Sequence, residues 1–438
     1  MQILNLILVF LVVVIQVFSA GHALLYKRDP RASWAWIVTC ILFPPFGSVL
    51  YFLLGINRVR TKAQQLKSYW PEHELNFKGS EAIKTVLDFR IFAEEFHYFA
   101  TLSDAITFRP LLTNNHIDIL KNGDQAYPTM LRAIRQAREY VFLSTYIFDT
   151  KDTGKKFIDE LDKAKQRGID VRVLVDGIGE LYSLPRVSKL LKQRQVPCCR
   201  FLPPKLFPPS PYINLRNHRK LMIVDGELGF TGGMNIGDRH LFDKLAKASR
   251  VQDIHFRCTG PIVAQMEQVF LEDWGFCTGD EDLAPSAPQP DASGPAICRT
   301  ITVGPNQDLN KLSMILVGAI SQAQEDVMIM TPYFLPNREL IGALQSAALR
   351  GVQVNIVLPG KNNLPFVHWA TRNMLWELLQ YRVRVFYQPP PFNHSKLFLV
   401  DDSYAQIGSA NLDPRSLRLN FEMVVEFFDQ DLISSLTR

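Results

Sequence analysis

The feature that most constrains this chain is a pattern it carries twice. Residues 217–235 read NHRKLMIVDGELGFTGGMN, and residues 393–411 read NHSKLFLVDDSYAQIGSAN. Both fit H-x-K-x4-D-x6-G-[GS]-x-N without a gap. A single H-x-K-x4-D has a chance expectation of roughly a few per cent in a chain of this composition. Two copies, each with the same downstream glycine and asparagine, mark an internal duplication. The duplication extends upstream. Ala133–Phe148 (AIRQAREYVFLSTYIF) and Ala319–Phe334 (AISQAQEDVMIMTPYF) each join a polar helix end to an apolar strand. An amphipathic helix, a glycine (Gly168, Gly351) and a second strand follow in each copy. Helical periodicity alternating with short β-branched runs predicts α/β layers. A repeat of about 180 residues is too long for a solenoid. The expected fold is α/β, with two similar lobes, each a β-sheet flanked by helices, about a pseudo-twofold axis.

The first lobe is expected at residues 116–278 and the second at 297–438. Residues 279–296 are rich in Pro, Ala, Ser and acidic side chains and read as an exposed connector. Residues 61–115 read as a linker or accessory segment, with a helix around Ser80–Phe99.

The amino terminus has a different character. Residues 1–26 contain no Asp, Glu, Lys or Arg, and a second charge-free stretch runs from Ala32 to Asn57. A hydrocarbon core about 30 Å thick needs roughly 20 apolar helical residues, and both stretches are that long. Residues 1–60 are therefore expected to form a transmembrane helical hairpin. No basic segment precedes the first run, which argues against a cleaved signal peptide. Pro44, Pro45 and Gly47 predict a kink in the second span. Four Lys/Arg follow that span (Arg58, Arg60, Lys62, Lys67) and three lie in the hairpin loop (Lys27, Arg28, Arg31), which favours cytoplasmic lobes. Six cysteines without C-x-x-C argue against a zinc ribbon or a dense disulfide framework; buried, reduced thiols are expected, in keeping with a reducing compartment.

The motif residues carry their own chemistry. In extended backbone, i and i+2 point to the same side, so His218 projects with Lys220 and His394 with Lys396. Lobes packed together would bring two imidazoles and two ammonium groups into one pocket. The lysines, with Asn235, Asn411 and Ser409, can hold the oxygens of a phosphodiester. One imidazole can attack phosphorus while the other protonates the leaving oxygen. The lysines supply the positive charge, so no metal or other cofactor is expected. Each histidine needs an acceptor on its second nitrogen. Asp253 (VQDIHF) and Glu422 (NFEMVVEF) offer one on the next strand of each lobe, and each is expected to orient its own lobe's histidine. Asp225 and Asp401 complete the catalytic motif and read as anchors of the turn that follows rather than as acids. His255, two residues beyond Asp253, either lines the pocket or belongs to the sheet. Proline- and aromatic-rich approaches to both histidines (FLPPKLFPPSPYINLRNH, FYQPPPFNH) read as an apolar rim.

The paired motif resembles that of the phospholipase D superfamily. With FPPFGSVLYFLLG, TPYFLP (Thr331–Pro336) and SANLDPRS (Ser409–Ser416), nearly the whole chain resembles the bacterial cardiolipin synthases. The resemblance implies phosphatidyl transfer through a phosphohistidine at the bacterial inner (cytoplasmic) membrane. Two phosphatidylglycerols would yield cardiolipin and glycerol, with phospholipid and the bilayer as partners. It also implies that the first motif's histidine, His218, attacks, with His394 as general acid. The chain ends at Arg438, soon after the last expected strand, whereas family members continue into a further helical tail. The alternatives are a phospholipase D-type hydrolase, a nuclease and a non-catalytic membrane scaffold. A net charge of +5 is too mild for a nucleic-acid partner, and intact motifs in both copies argue against a scaffold.

Overall fold

The computed structural model describes residues 2–27, 30–56, 94–204, 214–242, 250–280, 294–305 and 310–437. The described residues divide into two compact units, one up to Ile56 and the other from Glu94 onward.

The amino-terminal unit is helical. Gln2–Tyr26 is, among the described residues, the one helix long and apolar enough to cross a membrane. The second apolar stretch is interrupted. A helix at Pro30–Leu42 stops before Pro44 and Pro45, which lack an N–H and clash with the preceding turn. The chain resumes as Phe46–Leu50 and runs into a π-helical turn at Tyr51–Gly55. The two stretches are tied together by polar groups: Ser33 Oγ donates to the Ala23 carbonyl at 3.0 Å, and Gln16 Nε2 donates to the Cys40 carbonyl at 3.0 Å.

The second unit is α/β, as its periodicity predicts. Its strands are β1 (Leu112–Lys121), β2 (Tyr140–Thr145), β3 (Asp170–Asp176), β4 (Cys198–Phe201), β5 (Arg216–Asn217), β6 (Leu221–Val224), β7 (Leu228–Gly232), β8 (Val251–Gln252) and β9 (Ile254–Thr259). They continue as β10 (Ala296–Val303), β11 (Asp326–Met330), β12 (Gln353–Pro359), β13 (Arg384–Gln388), β14 (Phe392–Asn393), β15 (Leu397–Val400), β16 (Tyr404–Gly408) and β17 (Asn420–Phe428). One sheet runs β13-β12-β11-β15-β16-β17-β10-β1-β9-β7-β6-β2-β3-β4. Read outward from the central antiparallel pair β1–β10, each half has the same order, with four antiparallel pairings and then two parallel ones. The parallel pairs are bridged by the helices that the sequence places there, Asp152–Gln166 and Arg338–Leu349.

Side chains alternate across the sheet and feed separate cores. On one side, Ile262–Thr278 and Gln430–Thr437 cover a cluster drawn from both halves, including Phe142, Phe256, Leu399 and Val425. Each half has a second cluster on the other side. Glu94–Thr107 packs Phe99 and Ala100 into the second half's cluster, although it precedes the first half in the chain. Ser103 Oγ donates to Glu426 at 2.8 Å, and Asp104 pairs with the buried Arg299. Residues 80–93 of the helix expected around Ser80–Phe99 lie outside the described residues.

The thiol expectation needs correction. Cys199 on β4 and Cys277 near the end of Ile262–Thr278 form a disulfide. The two are 78 residues apart, and only the packing of that helix beneath the sheet brings them together. Cys40, Cys198, Cys258 and Cys298 are free.

Candidate active site

Each motif enters the site from a short strand held by the opposite half. β5 pairs with the start of β17, and the His218 N–H donates to the Phe421 carbonyl at 2.9 Å. β14 pairs with β8, and the His394 N–H donates to the Gln252 carbonyl at 2.7 Å. The asparagine before each histidine closes a small turn. Asn217 Oδ1 accepts from Arg219 N at 3.1 Å, and Asn393 Oδ1 accepts from Ser395 N at 2.8 Å. Both copies read N-H-x-K, so these asparagines are visible in the repeat, although they carry no proton chemistry that would mark them as functional.

The carboxylates cross over. His218 Nδ1 lies 3.0 Å from Glu422 Oε2, and His394 Nδ1 lies 2.9 Å from Asp253 Oδ2. The expectation that each histidine pairs within its own half is therefore wrong. Because β5 and β14 are seated on the opposite half, each imidazole reaches that half's strand. Glu422 is fully buried, and its other oxygen accepts from Ser416 Oγ (2.9 Å) and Asn420 Nδ2 (3.0 Å). Burial alone would raise its pKa, but the His218 charge and hydrogen bond, with Lys220 and Ser409, bring it down to about 2. Asp253 is also buried; burial raises its pKa, and the Lys396 charge opposes the rise.

The lysines stand beside the histidines. Lys220 Nζ donates to the His218 carbonyl at 2.6 Å. Lys396 Nζ lies 3.0 and 3.2 Å from the two ring nitrogens of His394. Both ammonium groups are buried. Burial and, for Lys220, the charge of Lys396 lower the pKa of Lys220 to about 7; burial lowers that of Lys396 to about 8. His394 falls well below the usual histidine range through burial, then the charges of Lys396, Lys220 and His218; His218 is lowered mainly by burial. The two motifs thus share one electrostatic neighbourhood.

The motif glycines make room for this arrangement. Gly232 and Gly408 have φ of +147° and +154°, where side chains are strained. A Cβ on Gly233 would lie 2.3 Å from Asp253 Oδ1. At the matching position, the Ser409 hydroxyl donates to the Met423 carbonyl (3.3 Å) and accepts from the Met423 N–H (3.1 Å). Its hydrogen bonds are thus used on β17, which corrects its expected role as a phosphate ligand. Asn235 Oδ1 accepts from Ile147 N at 3.0 Å, and Asn411 Nδ2 donates to Ser416 Oγ at 3.3 Å. Asn411 Oδ1 is buried without a hydrogen bond.

Asp225 and Asp401 are not at the site. Asp225 accepts from the backbone N–H groups of Arg138, Glu139 and Tyr140, and Asp401 from those of Gln324, Glu325 and Asp326, at 2.8–3.1 Å. What they fix is the entry to β2 and β11 rather than the turn that follows them, which corrects both their expected role as anchors of that turn and their place in a catalytic set. His255 is buried in β9 behind Gly232, and burial lowers its pKa to about 4.

Two tyrosines were not predicted. The Tyr146 ring is 5.0 Å from that of His218, and Lys220 Nζ sits 5.5 Å from its centre. Tyr333, one place later in the repeat and aligned with Ile147, is 6.4 Å from the His394 ring. Their signal is a tyrosine just beyond the repeated threonine, adjacent to Thr145 in one copy and two residues after Thr331 in the other. Phe392 of the second proline-rich approach lies 6.0 Å from His394; residues 205–213, half of the first approach, lie outside the described residues.

Comparison with known proteins adds three findings. The family described as "Cardiolipin synthase, PLD-like domain" matches residues 130–274 and 316–438, and "Phospholipase D-nuclease N-terminal" matches 4–55. Cardiolipin synthase 2 of Staphylococcus epidermidis is 31% identical over 99% of this chain and 90% of that protein. The major cardiolipin synthase ClsA of Bacillus subtilis is 32% identical over 94% of this chain and 86% of its own. Among solved structures, a phosphatidylserine synthase of Haemophilus influenzae shares the fold, with a TM-score of 0.60 at 17% identity, over 78% of this chain and 89% of that one.

Proposed function

Because the chain belongs to the phospholipase D-like cardiolipin synthase family, and so is a transferase that makes cardiolipin, we propose that it works through a phosphohistidine on His218. The observation that carries this reading is the crossed pairing: two imidazoles, each oriented by a buried carboxylate of the opposite half, beside two buried lysines. Glu422 takes the Nδ1 proton of His218 in a hydrogen bond, leaving Nε2 free to attack phosphorus. The phosphate diester of phosphatidylglycerol binds Lys220 and Lys396. Its negative charge offsets the lysine charges that depress His394, so His394 can hold the proton it gives to the departing glycerol oxygen. The P–O bond breaks as the P–N bond forms, and glycerol leaves. His394, held by Asp253, then takes the proton from the hydroxyl of a second phosphatidylglycerol. That oxygen attacks phosphorus, His218 departs, and cardiolipin forms. Asn235 and Asn411 border the site and complete the proposed phosphate cradle.

Two lobes related by a pseudo-twofold axis, at 116–278 and 297–438, complete this reading. The identical strand order of the halves and the reciprocal β5–β17 and β14–β8 pairings support it. The remaining boundaries are a membrane hairpin over 1–60, an accessory segment over 61–115 and a connector over 279–296. A two-pass anchor is supported by the second apolar stretch tied along the first. Basic residues after that stretch support cytoplasmic lobes, and the Cys199–Cys277 disulfide supports the opposite face. A cysteine placed in the connector and probed with an impermeant maleimide in intact cells decides the side.

The test of mechanism is incubation of purified protein with labelled phosphatidylglycerol, acid-free quenching and peptide mapping. Labelled cardiolipin, with transient label on the peptide containing His218, is expected. Label only on the His394 peptide reverses the two roles, and phosphatidic acid as the product would favour hydrolysis.

A further inference from the structure

Within the catalytic unit, two segments at equivalent places in the repeat each expose a cluster of apolar side chains beside the site. One follows β3 and carries Tyr182 and Leu184, the latter 85% exposed. The other follows β12 and carries Leu364 and the helix Pro365–Leu379, on which Phe366 (80%), Trp369 (61%) and Trp376 (60%) face outward. Spacings of three and seven residues put these three aromatics on one stripe, while Thr371, Leu375 and Leu378 point into the core. A soluble helix ordinarily shows the reverse, with polar groups outside.

Both segments adjoin the site. The Tyr182 ring is 6.2 Å from that of Tyr146, which flanks His218. Tyr333, which flanks His394, donates its hydroxyl proton to Asn363 Oδ1 at 2.9 Å, immediately before Leu364. Both are also basic. Residues 181–194 hold Arg186, Lys189, Lys192 and Arg194 with no acidic residue. Residues 361–384 hold Lys361, Arg372, Arg382 and Arg384 with one acid, Glu377, which is paired to Arg338. Beside the first segment runs an open groove of about 940 Å³, lined by Leu184, Pro185, Arg186, Lys189 and Lys192 among others and by none of the motif residues.

We propose that these two segments form a membrane-docking face that seats the catalytic unit on an anionic phospholipid bilayer, with the active-site entrance between them. Tryptophan and phenylalanine exposed among arginines and lysines suit the headgroup boundary, where the rings enter the acyl edge and the cations meet lipid phosphate. A bilayer fits better than a second copy of the chain, because the face carries an excess of positive charge and its acids, Glu377 and the neighbouring Asp159, are already paired to Arg338 and Arg194. It also fits the substrate, whose acyl chains stay in lipid while the headgroup reaches the histidines. The inference rests on phospholipid being the substrate and is independent of which histidine attacks.

The test uses the full chain reconstituted in phosphatidylglycerol vesicles with and without brominated acyl chains. Trp369 and Trp376 are two of six tryptophans, so the wild type is compared with W369F/W376F, which keeps the other four as a common background. The wild type is expected to lose a larger fraction of its emission to bromine than the variant, and the excess is expected to shrink in phosphatidylcholine vesicles. Equal quenching of the two proteins overturns the proposal, and an excess that persists undiminished in phosphatidylcholine overturns its anionic component. As a second reading, F366D/W369D/W376D is expected to raise the surface mole fraction of phosphatidylglycerol needed for half-maximal rate about tenfold. An unchanged value overturns docking, whatever the product. Failure of the wild type to form cardiolipin would count against the assigned reaction instead, since the quenching comparison does not depend on turnover.

Discussion

The crossed carboxylates make a prediction that separates this site from one assembled within each half. Glu422→Gln removes the charge held 3.0 Å from His218 Nδ1 but keeps the side chain's size. Asp253→Asn does the same to His394 at 2.9 Å. A buried hydrogen bond to a charged group contributes about 1.5–3 kcal/mol. At 1.36 kcal/mol per decade, its loss from a transition state slows that step about 10- to 150-fold. The steps can be told apart with a phosphatidyl ester of an activated phenol, whose departure needs no general acid. With that donor, formation of the histidine adduct tests only the nucleophile and its carboxylate. Rapid-quench measurement of labelled enzyme is expected to show adduct on His218 forming slowly in Glu422→Gln. In Asp253→Asn it should form at close to the normal rate and then persist, because His394 is a poorer base toward the acceptor hydroxyl. If the adduct maps to His394, the two variants exchange behaviour and the crossing still holds. The reasoning is refuted if the labelled histidine is impaired by the carboxylate of its own half, with circular dichroism showing both variants folded.

Lys220→Ala and Lys396→Ala are each expected to cost a few hundredfold in rate while leaving the fold intact, and near-normal turnover in a folded variant would remove that lysine from the phosphate site. With pKa values lowered to about 7 and 8, the empty site loses positive charge as pH rises through that range, so tungstate should bind more weakly at pH 9 than at pH 6.5; flat affinity would contradict buried, titrating lysines. The same depression means that the unfolded chain binds more protons than the folded one from about pH 7 to 10.5, so these two groups should make stability rise with pH across that window. Asp225→Ala leaves three backbone N–H groups without their acceptor and should cost about 2–3 kcal/mol in unfolding experiments, with KM unchanged below the transition. Gly233→Ala pushes a methyl group against the Asp253 carboxylate and should lower the rate about a hundredfold; full activity would mean that this carboxylate is free to move without consequence.

The α/β class, the repeat and the residues of the site were legible because they depend on local periodicity and on spacing along one segment. The helix break at Pro44 was legible for the same reason, since proline acts on its own turn. What escaped depends on which strands meet. Nothing along the chain distinguishes Asp253 as a partner of His218 from Asp253 as a partner of His394; the answer lies in two-residue strands seated across the halves. Ser409 aligned with Gly233 and looked like an added phosphate donor, but the close approach of β17 uses its hydroxyl. The Cys199–Cys277 bond required knowing that a helix packs beneath β4. Asp225 and Asp401 bind backbone 75–87 residues earlier, a partnership that composition could not reveal.

The helix Glu94–Thr107 has a consequence for synthesis. Its partners Arg299 and Glu426 lie 195 and 323 residues downstream. At roughly 5–20 residues per second, the ribosome takes about 10–40 s to deliver even the first of them. During that interval Phe99 has no core to enter, while most of the first half can leave the exit tunnel and begin to fold. The finished sheet is thus closed by a segment made before most of it, which leaves a window in which a holding chaperone, or the nearby membrane surface, has an apolar face to occupy.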